Sequence, residues 1–275
     1  MNNILKSYLQ LIRPVTALLA ALGVFVGGIL GGFHFVSVSL VLAMVVVFFM
    51  VAGSMALNDY LDRAIDQHAH PHRPIPSGRL SPHAALRFAY LSFFIALVLS
   101  ALINILSFGI VVFSIFLLVI YEQYLKNIGL MGNILAGFIS GMALIFGGAS
   151  VGHVNNTILL ASMTFLIMLG REILKDVEDV KGDSIQRVTL PMKIGQKRAL
   201  YVGCSLVAAT IALTPFPYWL NILNVWYIVV IIPAGVLFAY SILLVLRDIK
   251  HIGLTIEILR SGSAFALAGF ILGIM

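Results

Sequence analysis

The chain has 275 residues, of which 61% are hydrophobic and 10% charged, with a mean hydropathy of +1.06. A soluble domain carries roughly 25% charged residues, so this composition excludes a water-soluble globular protein and indicates an integral membrane one. The formal net charge of +6 sits in short connections next to apolar runs, which excludes a nucleic-acid-binding patch and makes membrane lipids the chain's surroundings.

A bilayer core about 30 Å thick is crossed by ~20 apolar residues in a helix. In chain order the sequence predicts nine such spans, near 14–33, 37–57, 84–103, 105–124, 130–150, 157–175, 199–215, 222–246 and 256–275. The first starts after Arg13-Pro14 and lacks a small-residue cleavage site, so it is read as a retained helix and not a signal peptide. Runs this long and continuously apolar exclude a transmembrane β-barrel, whose strands alternate apolar and polar residues over ~10 positions. The expected fold is all-α, a multi-pass membrane protein of about nine transmembrane helices bundled around a central cavity, in a single domain over residues 1–275. Glycines inside the spans ("VGGILGG", "GFISGMALIFGG") are read as sites of close helix packing. The single cysteine, Cys204, permits neither an intrachain disulfide nor a cysteine-based metal site.

Charge sorts the connections onto two sides. Those near 34–36, 104, 151–156 and 216–221 contain no Lys, Arg, Asp or Glu. The N-terminus and the connections near 58–83, 125–129, 176–198 and 247–255 carry nearly all the charge, and the two kinds alternate along the chain. The positive-inside rule then places the N-terminus and the charged loops in the cytoplasm and the C-terminus outside.

Two of the charged connections share a pattern. "NDYLDRAID" contains Asn58, Asp59, Asp62 and Asp66, and "KDVEDVKGD" contains Asp176, Asp179 and Asp183. Each has the form D-x2-D-x3-D, whose offsets fall along one face of a helix. The clusters follow the second and the sixth span, so four spans separate them and both emerge on the same membrane face; this has the look of an internal duplication. As solvated charges capping helix ends they have the wrong sign, since carboxylates at a helix C-terminus oppose the macrodipole. Neighbouring acids also repel one another, and a bound cation resolves both conflicts. All-oxygen ligands without Cys or paired His suit Mg²⁺, Mn²⁺ or Ca²⁺. Mg²⁺ in particular is held by one or two carboxylates together with substrate phosphates, which points to metal-assisted departure of a diphosphate.

The basic residues fit a phosphate-bearing substrate. Arg73 and Arg79 lie in the proline-stiffened loop "HPHRPIPSGRLSP". Arg187, Lys193, Lys197 and Arg198 follow the second cluster, the last two at the entry of the seventh span where basic residues snorkel. Lys126 stands in "YEQYLKNIGLMGN" with Tyr121, Tyr124 and Asn133 nearby, the tyrosines serving equally as interfacial anchors. His68, His70 and His72 read as solvated loop residues in preference to a metal site. Glu122 and Glu257 sit ambiguously near span ends. Arg260, a turn inside the last span, is an intramembrane ionisable group that either functions or snorkels.

These residues resemble a known family. "NDYLDRAID" is similar to the first, and "KDVEDVKGD" to the second, aspartate-rich motif of the UbiA-type intramembrane prenyltransferases, which also share the nine-span topology. Within that family "HRPIPSGRLS" and "REILKDVEDVKGD…TLPMKIG" look most like the archaeal ether-lipid branch, although "SIQRVTLP" departs from the usual pattern near Arg187. The resemblance implies a Mg²⁺-dependent enzyme that moves a geranylgeranyl group from its diphosphate to the free hydroxyl of geranylgeranylglyceryl phosphate. An aromatic or tetrapyrrole acceptor is the alternative. It implies that Asn58, Asp62 and Asp66, supported by Asp59, bind Mg²⁺–diphosphate together with Asp176, Asp179 and Asp183. Catalysis is expected from Asp62, Asp66, Asp179, Asp183 and Lys126. Substrate binding is expected from Asn58, Arg63, Arg73, Arg79, Tyr124, Lys126, Asn133, Arg171 and Lys175. The expected partners are an isoprenyl diphosphate donor and a lipid-phosphate acceptor. The proton acceptor stays open between a cluster carboxylate and the departing pyrophosphate. A cation-coupled transporter is disfavoured, because both clusters lie at one membrane face and not at the midplane. The D-G-x2-A-R signature of CDP-alcohol phosphotransferases is missing.

Overall fold

A computed structural model of the chain describes residues 3–32, 37–183 and 188–274, with side chains for all of these except 3, 127 and 181–183. The connection at 34–36, Arg187 and the carboxylate of Asp183 therefore lie outside the described residues. Among the described residues the secondary structure is helical and contains no strand. In chain order the α-helices are α1 (Asn3–Ile12), α2 (Pro14–Leu30), α3 (Val38–Leu61), α4 (Arg63–Ala69), α5 (Pro82–Ala101), α6 (Ile105–Gln123), α7 (Leu130–Ser150), α8 (Asn155–Asp183), α9 (Leu190–Ile194), α10 (Gln196–Leu213), α11 (Phe216–Trp219), α12 (Val225–Arg247) and α13 (Ile252–Ile274). By length and composition eight helices among the described residues can cross a membrane, and the α1–α2 pair, bent by 44°, brings the number to nine. The helical fold class and span count expected from sequence are observed.

Two local features were not anticipated. Residues 3–12 form a helix of their own, whose Ser7 and Leu11 are buried while Ile4, Leu5 and Leu9 are exposed. The break after it has a direct cause. Pro14 has no N–H to continue the helix, and Arg13 occupies left-handed backbone at φ 51°, ψ 65°, a region L-residues enter at a cost. The 29-residue α8 also runs well past the bilayer span predicted for it, carrying the second acidic cluster to its last residue.

The helices pack as two compact units, one made of residues 1–123 with 146–153, the other of 124–145 with 154–275. In the first, α3 is the centre, packed by α1, α2, α5 and α6. Small residues let these helices approach: Ala17, Ala43, Ala52, Ala56, Ala85 and Ala89 are buried. At Gly147, near the end of α7, a Cβ would sit 2.0 Å from the Val24 carbonyl oxygen of α2. In the second unit α8 is packed by α10 and α13, and α12 lies along α13. Ile173, Leu174, Val177, Leu200, Cys204, Val207, Phe238 and Leu259 form its core. Gly137 and Gly141, one turn apart on α7, lie against α8, where a Cβ would come within 3.0 Å of the Phe165 and 2.7 Å of the Ala161 carbonyl oxygens.

The packing role of Gly147 has a sign that can be checked. Gly→Ala in a helix normally stabilises by up to about 1 kcal/mol, and Gly109→Ala, where a Cβ meets nothing within 4 Å, should do so. Gly147→Ala should instead destabilise by about 1–3 kcal/mol through overpacking against backbone, read as opposite shifts in thermal unfolding of the detergent-solubilised protein.

Candidate active site

The first acidic cluster straddles a helix break. Asn58 and Asp59 lie in the last turn of α3, Asp62 occupies the junction at φ −84°, ψ 3°, and Asp66 falls in the first turn of α4. Backbone bonds from Asp62 N to Asn58 O (2.9 Å) and from Asp66 N to Asp62 O (2.8 Å) carry a helical turn through the junction. The break modifies the dipole argument for Asp62 and Asp66. Asp62 holds both the C-cap position of α3 and the N-cap position of α4 without a side-chain cap bond. Asp66 lies in the first turn of α4, where negative charge is favoured, whereas the second cluster does stand at the C-terminus of α8.

The side chains of the first cluster divide into two groups. Asp59 and Asp66 are 2% and 3% exposed. A buried carboxylate requires paired charge and hydrogen bonds, and both are supplied. Arg13 Nη2 donates to Asp59 Oδ1 at 2.7 Å. Arg73 Nη1 donates to Asp66 Oδ2 at 2.6 Å and lies 3.5 Å from Asp59 Oδ1. The other group centres on Asn58, whose Nδ2 donates to Asp62 Oδ2 at 3.1 Å and to Glu122 Oε2 of α6 at 2.8 Å.

The proline-rich loop positions Arg73. Turn bonds from Ser77 N to Arg73 O (3.1 Å) and from Leu80 N to Pro74 O (3.0 Å) fold it back, and Ile75 and Leu80 bury their side chains. Arg79 donates to Ser77 Oγ at 2.8 Å and to the His72 carbonyl, so it staples the loop. Arg63 donates to the Tyr60 carbonyl at 2.7 Å and stacks 4.5 Å over the Tyr60 ring. A cleft beside the ion pairs is lined by Gln10, Arg13, Asp59, His70, His72 and Arg73.

In the second unit Asp176 is buried and accepts a hydrogen bond from Asn133 Nδ2 at 2.7 Å. Asp179 and Lys175 are exposed. Arg171 pairs with its neighbour Glu172 at 2.7 Å, both a little over one-fifth exposed. Lys126 is half-buried in the 3-10 turn Leu125–Asn127, and Tyr124 before it is 63% exposed. Gly129 ends this segment at φ +45°, where a Cβ would lie 2.7 Å from the Val188 carbonyl oxygen. The segment thus requires glycine to close against the chain after α8.

The two clusters also show a parallel in their partners. In each unit the first acid of the cluster is held at 2.7 Å by the residue at the start of the helix before: Arg13, ahead of α2, holds Asp59, and Asn133, in the first turn of α7, holds Asp176. Asp59 and Asp176 thus each accept a short hydrogen bond from within their own unit. Arg13 was not singled out from sequence, although a lone cation directly before the first span was the available signal. Glu122 was noticed without a role, because its partner Asn58 is 64 residues away.

Among the described residues no three His, Cys, Asp or Glu side chains already form a metal cage. The donor set is nevertheless carboxylate and amide oxygen, and Mg²⁺ takes one or two such ligands and completes its shell with water and substrate phosphate. The residues fit that mode of binding.

The apolar helices, with an acid cluster in each unit, define an integral membrane protein with carboxylate clusters suited to a hard divalent cation. The model of the UbiA prenyltransferase family matches residues 16–251, and the chain belongs to that family. It is 34% identical over 272 residues to the digeranylgeranylglyceryl phosphate synthase of Methanopyrus kandleri, covering 98% of this chain and 100% of that one. It is 35% identical over 246 residues to the enzyme of the same name from Methanocaldococcus jannaschii, covering 89% and 87%. A solved structure of a digeranylgeranylglyceryl phosphate synthase superposes with a TM-score of 0.86 at 33% identity over 99% of both chains. A UbiA homolog from Archaeoglobus fulgidus, bound to GPP and Mg²⁺, shares the fold at a TM-score of 0.74 and 22% identity over 98% and 99%.

The Asp59 ion pair yields a stability prediction. Breaking one side of a buried pair leaves an uncompensated charge, but Arg13 is 35% exposed and Arg73 remains near, so Arg13→Met should cost about 2–3 kcal/mol, below the 3–5 of a fully buried pair. Arg13→Met with Asp59→Asn should cost less than the sum of the two single changes. Additive losses in thermal unfolding would show that the pair contributes no coupling.

Proposed function

We propose that this chain transfers a geranylgeranyl group from geranylgeranyl diphosphate to the free hydroxyl of geranylgeranylglyceryl phosphate, with Mg²⁺ as cofactor. The observation that carries this reading is its whole-length likeness to proteins named digeranylgeranylglyceryl phosphate synthase. The Mg²⁺ and prenyl diphosphate seen in the Archaeoglobus fulgidus homolog agree with it.

Asn58, Asp62 and Asp66 of the first cluster and Asp179 and Asp183 of the second would serve as oxygen ligands for Mg²⁺ and its diphosphate. Asp59 and Asp176, already paired with Arg13 and Asn133, brace the two sets. When bound there, Mg²⁺ would supply neutralisation of the charge on the departing diphosphate. Arg73 exchanges part of its contact with Asp66 for phosphate oxygens, a bidentate role its planar guanidinium suits. Lys126 adds a point charge to the same group. Arg79 acts through the loop that carries Arg73, and Arg63 through Tyr60. Arg171 and Lys175, about one turn apart on α8, and Tyr124 would bind the acceptor phosphate. The C–O bond of the allylic diphosphate breaks, the acceptor oxygen forms the new ether bond, and its proton leaves to a carboxylate or to the pyrophosphate. The protein lies in the cell membrane with its N-terminus and charged loops cytoplasmic and its C-terminus outside, as the positive-inside rule requires.

Asp62→Ala and Asp179→Ala should each lower turnover by at least 100-fold without loss of the folded species on size exclusion, an order of magnitude typical of removing one strong transition-state stabiliser. Near-normal activity of either would remove that residue from the site. Chelation with EDTA should silence the enzyme and Mg²⁺ should restore it.

Acceptor identity is checked by offering purified protein geranylgeranyl diphosphate with glyceryl-ether phosphate, hydroxybenzoate, a naphthoate or a tetrapyrrole, and reading products by mass spectrometry. The expected product is the diether phosphate. Prenylation of an aromatic acceptor alone would overturn the assignment.

A further inference from the structure

Glu122 is a buried acid that the mechanism above does not use. It lies in the last turn of α6, is 4% exposed, and its Oε2 accepts from Asn58 Nδ2 at 2.8 Å. The same Nδ2 donates its second hydrogen to Asp62 Oδ2 at 3.1 Å.

An asparagine carries its two donors and its acceptor at opposite ends of one planar amide. With Nδ2 aimed at two carboxylates, Oδ1 is turned away from both. Rotating the amide by half a turn would set three oxygens against one another and forfeit two charge-assisted hydrogen bonds. The carboxylates therefore decide which end of Asn58 is offered to the remainder of the site, and only the oxygen end can ligate a hard cation. Asp62 is a weak lock, because it is itself an expected ligand and its hydrogen bond is the longer of the two. Glu122, approaching from a different helix, holds the shorter bond.

We infer that Glu122 is a positioning residue that locks the Asn58 amide with its oxygen toward the divalent cation, without ligating the cation itself. This rests on the magnesium-binding reading above. Partners that orient a metal ligand typically change metal affinity about 10–100-fold when removed. Glutamine at the position keeps an acceptor for Nδ2, while methionine removes it at similar volume.

The test is a Mn²⁺ titration of the purified, lipid-embedded protein, with free ion followed by electron paramagnetic resonance, run beside Mg²⁺ activation curves. Glu122→Met should raise the Mn²⁺ dissociation constant and the Mg²⁺ activation constant about 10–100-fold, with activity recovering at high Mg²⁺. Glu122→Gln should stay within about threefold of the unaltered chain, since its carbonyl still accepts the hydrogen bond. Glu122→Ala, with thermal unfolding measured alongside, gives a second variant lacking the acceptor should Glu122→Met not fold. Unchanged Mn²⁺ affinity in a folded variant lacking the acceptor overturns the inference, and so does an equal loss in Glu122→Gln, which would make Glu122 a ligand. If the unaltered chain binds no Mn²⁺, the magnesium reading fails instead.

Discussion

A carboxylate buried at the end of an apolar helix is the constraint on which the rest of the first unit turns. Transferring such a charge from water costs several kcal/mol even after relaxation, so Asp59, at 2% exposed, is tenable only with its partners in place. Arg13 arrives from the break between α1 and α2, and Arg73 from the proline loop, and Arg73 also neutralises Asp66. Two guanidinium groups thus balance two carboxylates. The arrangement ties the start of the first span, the end of the second and the loop after it to one point.

With Asp59 and Asp66 fixed, Asp62 and Asn58 are left to face a different network. The junction between α3 and α4 falls at Asp62, whose Oδ2 accepts from Asn58 Nδ2. In the second unit Asn133 donates to Asp176, which is 7% exposed against 2% for Asp59. In both halves the first acid of the motif is held by a protein partner, while Asp62 and Asp179 are outside those contacts.

Much of this was legible in the sequence. Uninterrupted apolar runs longer than any strand fixed the helical class, and the alternation of charged with uncharged connections separated the runs into spans. The D-x2-D-x3-D spacing located both clusters, and in each the first acid accepts a hydrogen bond, from Arg13 at Asp59 and from Asn133 at Asp176. What the sequence hid were pairings over long separations. Arg13 meets Asp59 across 46 residues and Asn58 meets Glu122 across 64, and no local periodicity reports such contacts. The break at Asp62 was hidden for another reason. Residues 58–69 contain neither Gly nor Pro, so nothing in composition marks it.

The central claim is that both acid clusters hold the donor diphosphate through Mg²⁺. Equilibrium binding of radiolabelled geranylgeranyl diphosphate to the protein in lipid nanodiscs, without acceptor, tests it most directly. The account predicts binding that requires Mg²⁺ and is lost in Asp62→Asn and in Asp179→Asn alike. Donor binding of undiminished affinity without divalent cation, or lost on altering one cluster but indifferent to the other, would contradict it.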